Sequence, residues 1–486
     1  MLLESFSSNL LIKLQKQLDH SCLCYGEGFR YNSLLTPTTT IIESNTASNI
    51  DEDLKHLWNL YRILNDLYID SRGGRQPTWI TKLVEHGVTS TELEVHQIIS
   101  EARLEPRMCR IDYVTLGKDE RQIAEVQWKS GGPGLFFGIQ REQSLIIPNS
   151  SNTRTLGNLA EGFADAILES GADPVAINDV RHFWMNGENY LKNYYEKKGI
   201  AYFPIERSSL ETVISLRNEK VLLNDENGSR PLTFLYGQEF TSTLDHELLI
   251  KLARESIEGK LWVETPMNVI YRQKWGMSIP FMDEYKDLFS NRLREIIIPT
   301  VLIQAEQINL KPILNYLPDS LANHLESVKS IYDLAMLPES IRGKLIIKCG
   351  GGAGAFYNRS RGVFRLTGSK KSAKQILDLV LSQVHLGEPW IIQPYVDQTV
   401  AVPLSHPENS DDIEVSQCHA RYMIFGRCLS KTQYKVIGGL GNYSKHWKVN
   451  GHSAQYDKLG RLEGSAFNEI RVGQPQTIGV EELIEV

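Results

Sequence analysis

The chain is poor in cysteine, with six in 486 residues (Cys22, Cys24, Cys109, Cys349, Cys418 and Cys428). So few in so long a chain cannot make a disulfide framework. Cys22 and Cys24 stand too close for the usual zinc knuckle, and no second pair follows. A reduced, cytoplasmic protein is the expectation. Apolar runs are short, and none reaches the ~20 residues needed to cross a bilayer, so no membrane partner is expected. The start, Met1-Leu2-Leu3-Glu4-Ser5, has neither a basic region nor a cleavage pattern, so no signal peptide is expected. Positive charge is not in surplus. Lys and Arg number 52 against 59 Asp and Glu, a net charge of −7, which argues against a nucleic-acid partner because phosphate neutralisation favours a basic face. Familiar catalytic signatures are missing too. There is no G-x-x-x-x-G-K-[ST] and no H-R-D or D-F-G, which sets aside the Walker and protein-kinase folds. His246-Glu247 opens a metalloprotease pattern, but Ile250 stands where the second histidine belongs; Gly451-His452-Ser453-Ala454-Gln455 lacks the last glycine of a nucleophile elbow.

What is present is the composition of a soluble globular chain, 41% hydrophobic and 23% charged, long enough for two or three lobes. Residues 1–105 read as mostly helical, with Leu10, Leu11, Leu14, Leu18 and then Leu54, Leu57, Leu60, Leu64 and Leu67 at helical spacing. Thr36–Thr40 and Ser71–Pro77 read as breaks between helical pieces. Residues 106–170 hold two short strands, a glycine loop (Gly131-Gly132-Pro133-Gly134) and a helix near Asn158–Ser170. Residues 171–265 contain a βαβ unit: a strand at Pro174–Asn178, a helix over Gly187–Lys198 and a strand at Ile200–Phe203, without a dinucleotide fingerprint. Residues 266–486 read as an α+β lobe with an antiparallel sheet, its strands at Leu345–Cys349, Gly362–Leu366, Trp390–Gln393, His419–Phe425 and Tyr434–Ile437. A helix covers Ser372–Val384, and Ser405–Asp412 reads as a polar loop.

The chemistry concentrates in the strands Arg110–Val114 and Ala124–Trp128, joined through Gly117-Lys118-Asp119-Glu120. Closed as an antiparallel hairpin, this pairs positions that sum to 237, so Asp112 faces Glu125 and Arg110 faces Gln127. Residues two apart share a face, so all four polar groups project to one side. Like charges directly opposed are destabilising and call for a neutralising partner; with oxygen ligands, Mg²⁺ is the natural one. Further on, Lys348 precedes Gly350-Gly351-Gly352-Ala353-Gly354, where bare backbone N–H groups can approach phosphates and the lysine adds a point charge. Trp390–Val396 is an apolar strand ending in polar groups at Gln393 and Tyr395, suited to a flat heterocycle or to an ordinary core. Arg421, on an apolar strand, wants an anionic partner, either an internal carboxylate or a substrate phosphate.

Taken in order, these segments resemble the ATP-grasp enzymes, specifically the glutathionylspermidine synthase-like branch, whose hairpin reads R-x-D followed by E-x-N and precedes the nucleotide lobe. Here the pattern is Arg110-x-Asp112 and Glu125-x-Gln127. Asn268–Lys274 resembles the segment carrying the first ATP lysine, and Leu345–Lys348 with its glycine loop resembles the second lysine and its flap. Trp390–Val396 resembles the adenine hinge. The resemblance spans about residues 105–460 and implies a mixed α+β and α/β ATP-grasp fold of permuted order, with a helical N-terminal region. It implies Mg²⁺ on Asp112, Glu125 and Gln127, and ATP on Lys274, Lys348, Gly351, Gly352, Gly354, Gln393, Tyr395 and Val396. Arg110 and Arg421 would be catalytic. The activity implied is a carboxylate–amine ligase that forms an amide through an acyl phosphate, acting on small-molecule or peptide substrates. A small-molecule kinase and a degenerate nucleotide-binding regulator are the alternatives. Gln127 departs from the usual asparagine and Cys349 from the usual proline. The helices of residues 1–105 could cap an acceptor site or pair two copies in a homodimer.

Overall fold

A computed structural model describes residues 2–473 except 6–7, 21–33, 37, 118–119, 129–132, 148–151, 181–184, 238–243, 265–266, 352–361, 368–370, 407–408, 431, 448–454, 457–461 and 464. A nine-stranded sheet forms the centre. Its strands are β1 (Leu2–Ser5), β2 (Thr38–Ile42), β3 (Met108–Leu116), β4 (Arg121–Gln127), β5 (Thr153–Thr155), β17 (Thr399–His406), β18 (Asn409–Ser430), β19 (Gln433–Ser444) and β22 (Ser465–Gly473). The path runs β1-β2-β22-β19-β18-β3-β4, with β5 on β22 and β17 on β18. β18 is long enough to serve two partners on one side. His419 pairs with Ser444 of β19 and Thr399 of β17, whereas Tyr422–Arg427 pair with β3.

A parallel sheet of β6 (Val175–Val180), β7 (Ala201–Glu206), β11 (Phe234–Gly237) and β12 (Trp262–Val263) runs in the order β12-β11-β6-β7. The expected βαβ unit lies within it, with the helix Met185–Glu196 between β6 and β7. A three-stranded meander, β8 (Ile214–Arg217), β9 (Lys220–Asp225) and β10 (Gly228–Pro231), is inserted before β11. An antiparallel sheet, β13-β16-β14-β15, comprises β13 (Val301–Ile303), β14 (Leu345–Cys349), β15 (Val363–Arg365) and β16 (Trp390–Pro394). A small ladder joins β20 (Gln455–Tyr456) to β21 (Leu462–Glu463).

The leucine stripe of residues 54–67 lies on the helix Ser44–Arg72, and all five leucines are buried. That helix lies over the face of the central sheet that carries Ile111, Tyr113 and Val126, with Trp58 edge-on to Trp128 at 4.5 Å. Burial of each such large side chain contributes roughly 1.5–3 kcal/mol, so this layer fixes the hairpin from behind.

Two expectations are corrected. Thr38–Thr40 is not a break: with Ile41 and Ile42 it forms β2, buried throughout and parallel to β22. A β-branched run suits a strand, and Asn468 takes the threonine hydroxyls by accepting from Thr40 at 2.7 Å and donating to Thr38 at 3.1 Å. Residues 2–5 and 38–42 therefore extend the central sheet rather than belonging to a helical region. In the expected loop Ser405–Asp412, Ser405 and His406 instead end β17 and residues 409–412 begin β18, with Ser405 paired to Ile413 and His406 to Asn409; positions 407–408 lie outside the described residues.

Candidate functional site

The β3–β4 hairpin has the register read from the sequence: Arg110 opposite Gln127 and Asp112 opposite Glu125, with Gly117 N–H donating to Glu120 at 2.8 Å across the turn. A bulge follows Asp112. Met423 of β18 pairs with Asp112, so Arg421, two residues away, lies on the same face. The alternate residues Ile111, Tyr113 and Val126 are the core side. One hairpin thus carries a polar site on one face and an anchor on the other.

Each carboxylate is cross-paired. Arg110 grips Asp112 with two bonds, Nε–Oδ1 at 2.7 Å and Nη2–Oδ2 at 3.0 Å, and Arg421 Nη1 reaches Oδ2 at 3.4 Å. Asp112 is fully buried. Glu125 Oε1 meets Lys274 Nζ at 3.1 Å and accepts from Gln127 Nε2 at 3.0 Å. Burial works to raise the Glu125 pKa, but Lys274, Arg421, Lys348 and Arg110 outweigh it and hold the carboxyl at about 2. Burial lowers Lys348, opposed by Glu125 and reinforced by Lys274 and Arg421, to about 7.

Lys348 comes from the other sheet, and a backbone clip brings it here. Lys274 N–H and Trp275 N–H both donate to Gly350 O, at 2.8 and 3.1 Å, tying the first lysine segment to the end of β14. Asn268 caps the 3₁₀ turn Val269–Arg272 through Ile270 N–H, and Gln273 Nε2 donates to Val84 O at 2.8 Å. A Cβ on Gly351 would lie 2.5 Å from Glu388 Oε1, so a larger residue there would require the Glu388 carboxylate to move. Gly352 and Gly354 lie outside the described residues.

The hinge divides. Tyr395 and Val396 line a cleft of about 710 Å³ that also meets Glu120, Gln122, Lys344 and Arg365. Arg365 is paired with Ile346 and so shares the Lys348 face of the sheet; its guanidinium lies 4.3 Å from the Tyr395 ring centroid. Gln393 does not line the cleft. It is buried and donates to Thr300 Oγ1 at 2.7 Å. Nor does the cleft include the charged cluster itself, which the chemistry of its groups identifies more directly than a cavity does.

Sequence reasoning missed two features. Asn442, buried on β19, is the register partner of Arg421; its Oδ1 and the Arg421 Nε have no hydrogen-bond partner among the described residues. A polar residue inside the Gly-Gly-Leu-Gly-Asn-Tyr run was the available signal. The carboxyl ends of β6 and β11, where the parallel sheet changes winding direction, present Asn178, Asp179 and Tyr236, and Tyr236 is close enough to act electrostatically on Arg110. Such switch points are where open α/β sheets bind ligands.

With this geometry in hand, comparison with solved structures shows a likeness over nearly the whole chain to a glutathione synthetase-like effector (GSS30) from Globodera pallida in its apo form. It aligns with a TM-score of 0.54 at 11% identity, covering 95% of this chain and 96% of that one. The two share a fold. A protein from Methylobacillus flagellatus KT, assigned as a gamma-glutamylcysteine synthetase, aligns with a TM-score of 0.35 at 10% identity over 80% of this chain and 87% of that one. The macrocyclase MdnC of Microcystis aeruginosa MRC, solved with its precursor peptide MdnA, gives 0.26 at 13% identity over 61% and 90%. No protein-family profile and no curated protein matches the sequence. Among the described residues no helix is long and apolar enough to cross a membrane.

Proposed function

We propose that the chain is an ATP-dependent carboxylate–amine ligase of the ATP-grasp kind. The observation that carries this reading is the convergence of Lys274 and Lys348, from separate segments, on the Asp112–Glu125 pair of the hairpin. A fold shared with a glutathione synthetase-like protein supports it. Two facing carboxylates with the Gln127 amide beside them are hard oxygen donors on one face, which suits Mg²⁺. Lys274 and Lys348 suit the phosphates, and the cleft at Tyr395 and Val396 suits the base.

Bound Mg²⁺-ATP would supply an activated phosphoryl group to a substrate carboxylate, with ADP leaving. The chain's own groups do the rest. Lys274 and Lys348 neutralise phosphate charge, which is most of what a protein contributes to phosphoryl transfer. Arg110 and Arg421, fixed by Asp112, stabilise the oxyanion that forms when an amine attacks the acyl phosphate. The switch point beside Arg110 is where the substrates would enter.

ADP release by the purified chain with pooled carboxylic acids and pooled amines tests the reading. Turnover should require both pools, and hydroxylamine in place of the amine pool should yield a hydroxamate. Turnover that needs no acid, with a phosphorylated alcohol or amine as product, would make the chain a small-molecule kinase instead. Nucleotide binding without any stimulated turnover would favour a regulator.

A further inference from the structure

The charge inventory of the site has a consequence for the order in which its ligands enter. Four cations, Arg110, Lys274, Lys348 and Arg421, act on the Asp112–Glu125 pair, and four against two leaves the cluster at +2 with Lys348 protonated. The carboxylate oxygens are also engaged. Both Asp112 oxygens accept from Arg110, Oδ2 also faces Arg421, and Glu125 Oε1 is shared by Lys274 and Gln127. A bare divalent cation would enter a field of its own sign, and to gain either Asp112 oxygen or Glu125 Oε1 it would have to displace a guanidinium, an ammonium or the Gln127 amide. Among the described residues no group of three or more His, Cys, Asp or Glu could hold a metal by itself. Mg²⁺ dehydrates reluctantly and is ordinarily held by one or two carboxylates together with substrate phosphates.

We infer that the free site is a polyanion receptor: it binds a polyphosphate chain without any metal, and admits a divalent cation only as that chain's chelate. The inference rests on the assignment of these groups to nucleotide phosphates and adds the order of binding. The phosphates draw Lys274, Lys348 and Arg421 away from the carboxylates, which frees Glu125 and relieves Asp112 Oδ2 of Arg421, so that the cation meets a smaller opposing charge. The arrangement therefore keeps the metal out until the substrate that needs it has arrived.

The test uses the full-length chain with inorganic tripolyphosphate and Mn²⁺ as probes. Titration calorimetry in EDTA should show tripolyphosphate binding, and Mn²⁺ alone, followed by its free-ion paramagnetic resonance signal, should bind at least about 100-fold more weakly. Adding tripolyphosphate should then recruit Mn²⁺. In Lys274→Met, and separately in Arg110→Met, one cation is gone and a carboxylate is released, so Mn²⁺ affinity without phosphate should rise about tenfold as tripolyphosphate affinity falls. Two variants on separate segments, one on β3 and one between the 3₁₀ turns that follow residue 268, guard against one failing to fold. Tight Mn²⁺ binding by the free wild-type chain, or tripolyphosphate binding that requires metal, overturns the inference. ADP release stimulated by acid and amine alongside either result would leave the ligase reading intact. Metal-free tripolyphosphate binding without stimulated turnover would instead sustain the inference and count against the ligase.

Discussion

Lys348 gives the sharpest quantitative handle on the site. Burial is the largest influence lowering its pKa; Lys274 and Arg421 add to it, and Glu125 and Asp112 oppose it, leaving the ammonium at about 7. Its protonated fraction then falls from about nine in ten at pH 6 to about one in ten at pH 8. Only the ammonium form offers charge to a phosphate, and apparent affinity scales with the competent fraction. Polyphosphate or ADP binding should therefore weaken about tenfold, ~1.4 kcal/mol, between pH 6 and 8. The ligand's terminal phosphate also gains charge near pH 6, which works in the opposite direction. Lys348→Arg removes that complication, because a guanidinium stays charged throughout the range. The assay is calorimetric ADP affinity for both proteins at pH 6, 7 and 8. The ratio of wild-type to Lys348→Arg affinity should fall about tenfold across this range. A flat ratio would refute the reasoning, since it would mean that Lys348 either keeps its ordinary pKa or does not meet the phosphates.

Two further predictions concern stability. Asp53 is fully buried and accepts from Tyr113 Oη at 3.1 Å and Arg121 Nε at 2.9 Å, joining the helix Ser44–Arg72 to both strands of the hairpin. Asp53→Ala strands a buried guanidinium and should cost about 3–5 kcal/mol in urea unfolding. Glu188, buried at the start of the helix Met185–Glu196, accepts from Gly134 N–H at 2.6 Å and Tyr202 Oη at 2.7 Å, and burial lifts its pKa to about 7. Because the folded value lies above the unfolded one, the folded state keeps a proton that the unfolded chain releases. Stability should fall as pH rises from about 4.5 to 7, by up to about 3 kcal/mol, and Glu188→Gln should remove that slope.

What the sequence made legible was local. The hairpin register follows from a short turn and a period of two, so Asp112 and Glu125 could be paired on paper and were found paired. The strand Leu345–Cys349 was readable as an apolar run, and the helix Ala373–His385 has the Ser372 cap that its first turn advertises. The site as a whole was less accessible. Lys348 acts on Glu125 from a separate sheet whose strand end is tied to the Lys274 segment by a backbone clip at Gly350, and no periodicity encodes a clip. Asn442 becomes part of the site through its pairing with Arg421 on a strand of 22 residues. Gln393 read as a hinge group, yet Thr300 on the approach to the neighbouring strand takes its amide. β2 was hidden because its partner β22 lies more than 400 positions away, and threonines next to proline read locally as a break.

The most direct test of the central claim is ADP release by the wild-type chain and by Asp112→Asn, assayed side by side with the same acid and amine pools and checked for equal thermal unfolding. The substitution keeps the shape of the side chain and removes the charge on which Arg110, Arg421 and the proposed metal depend. The account predicts substrate-stimulated release that falls at least about 100-fold in the variant. Full ADP turnover by Asp112→Asn would contradict it.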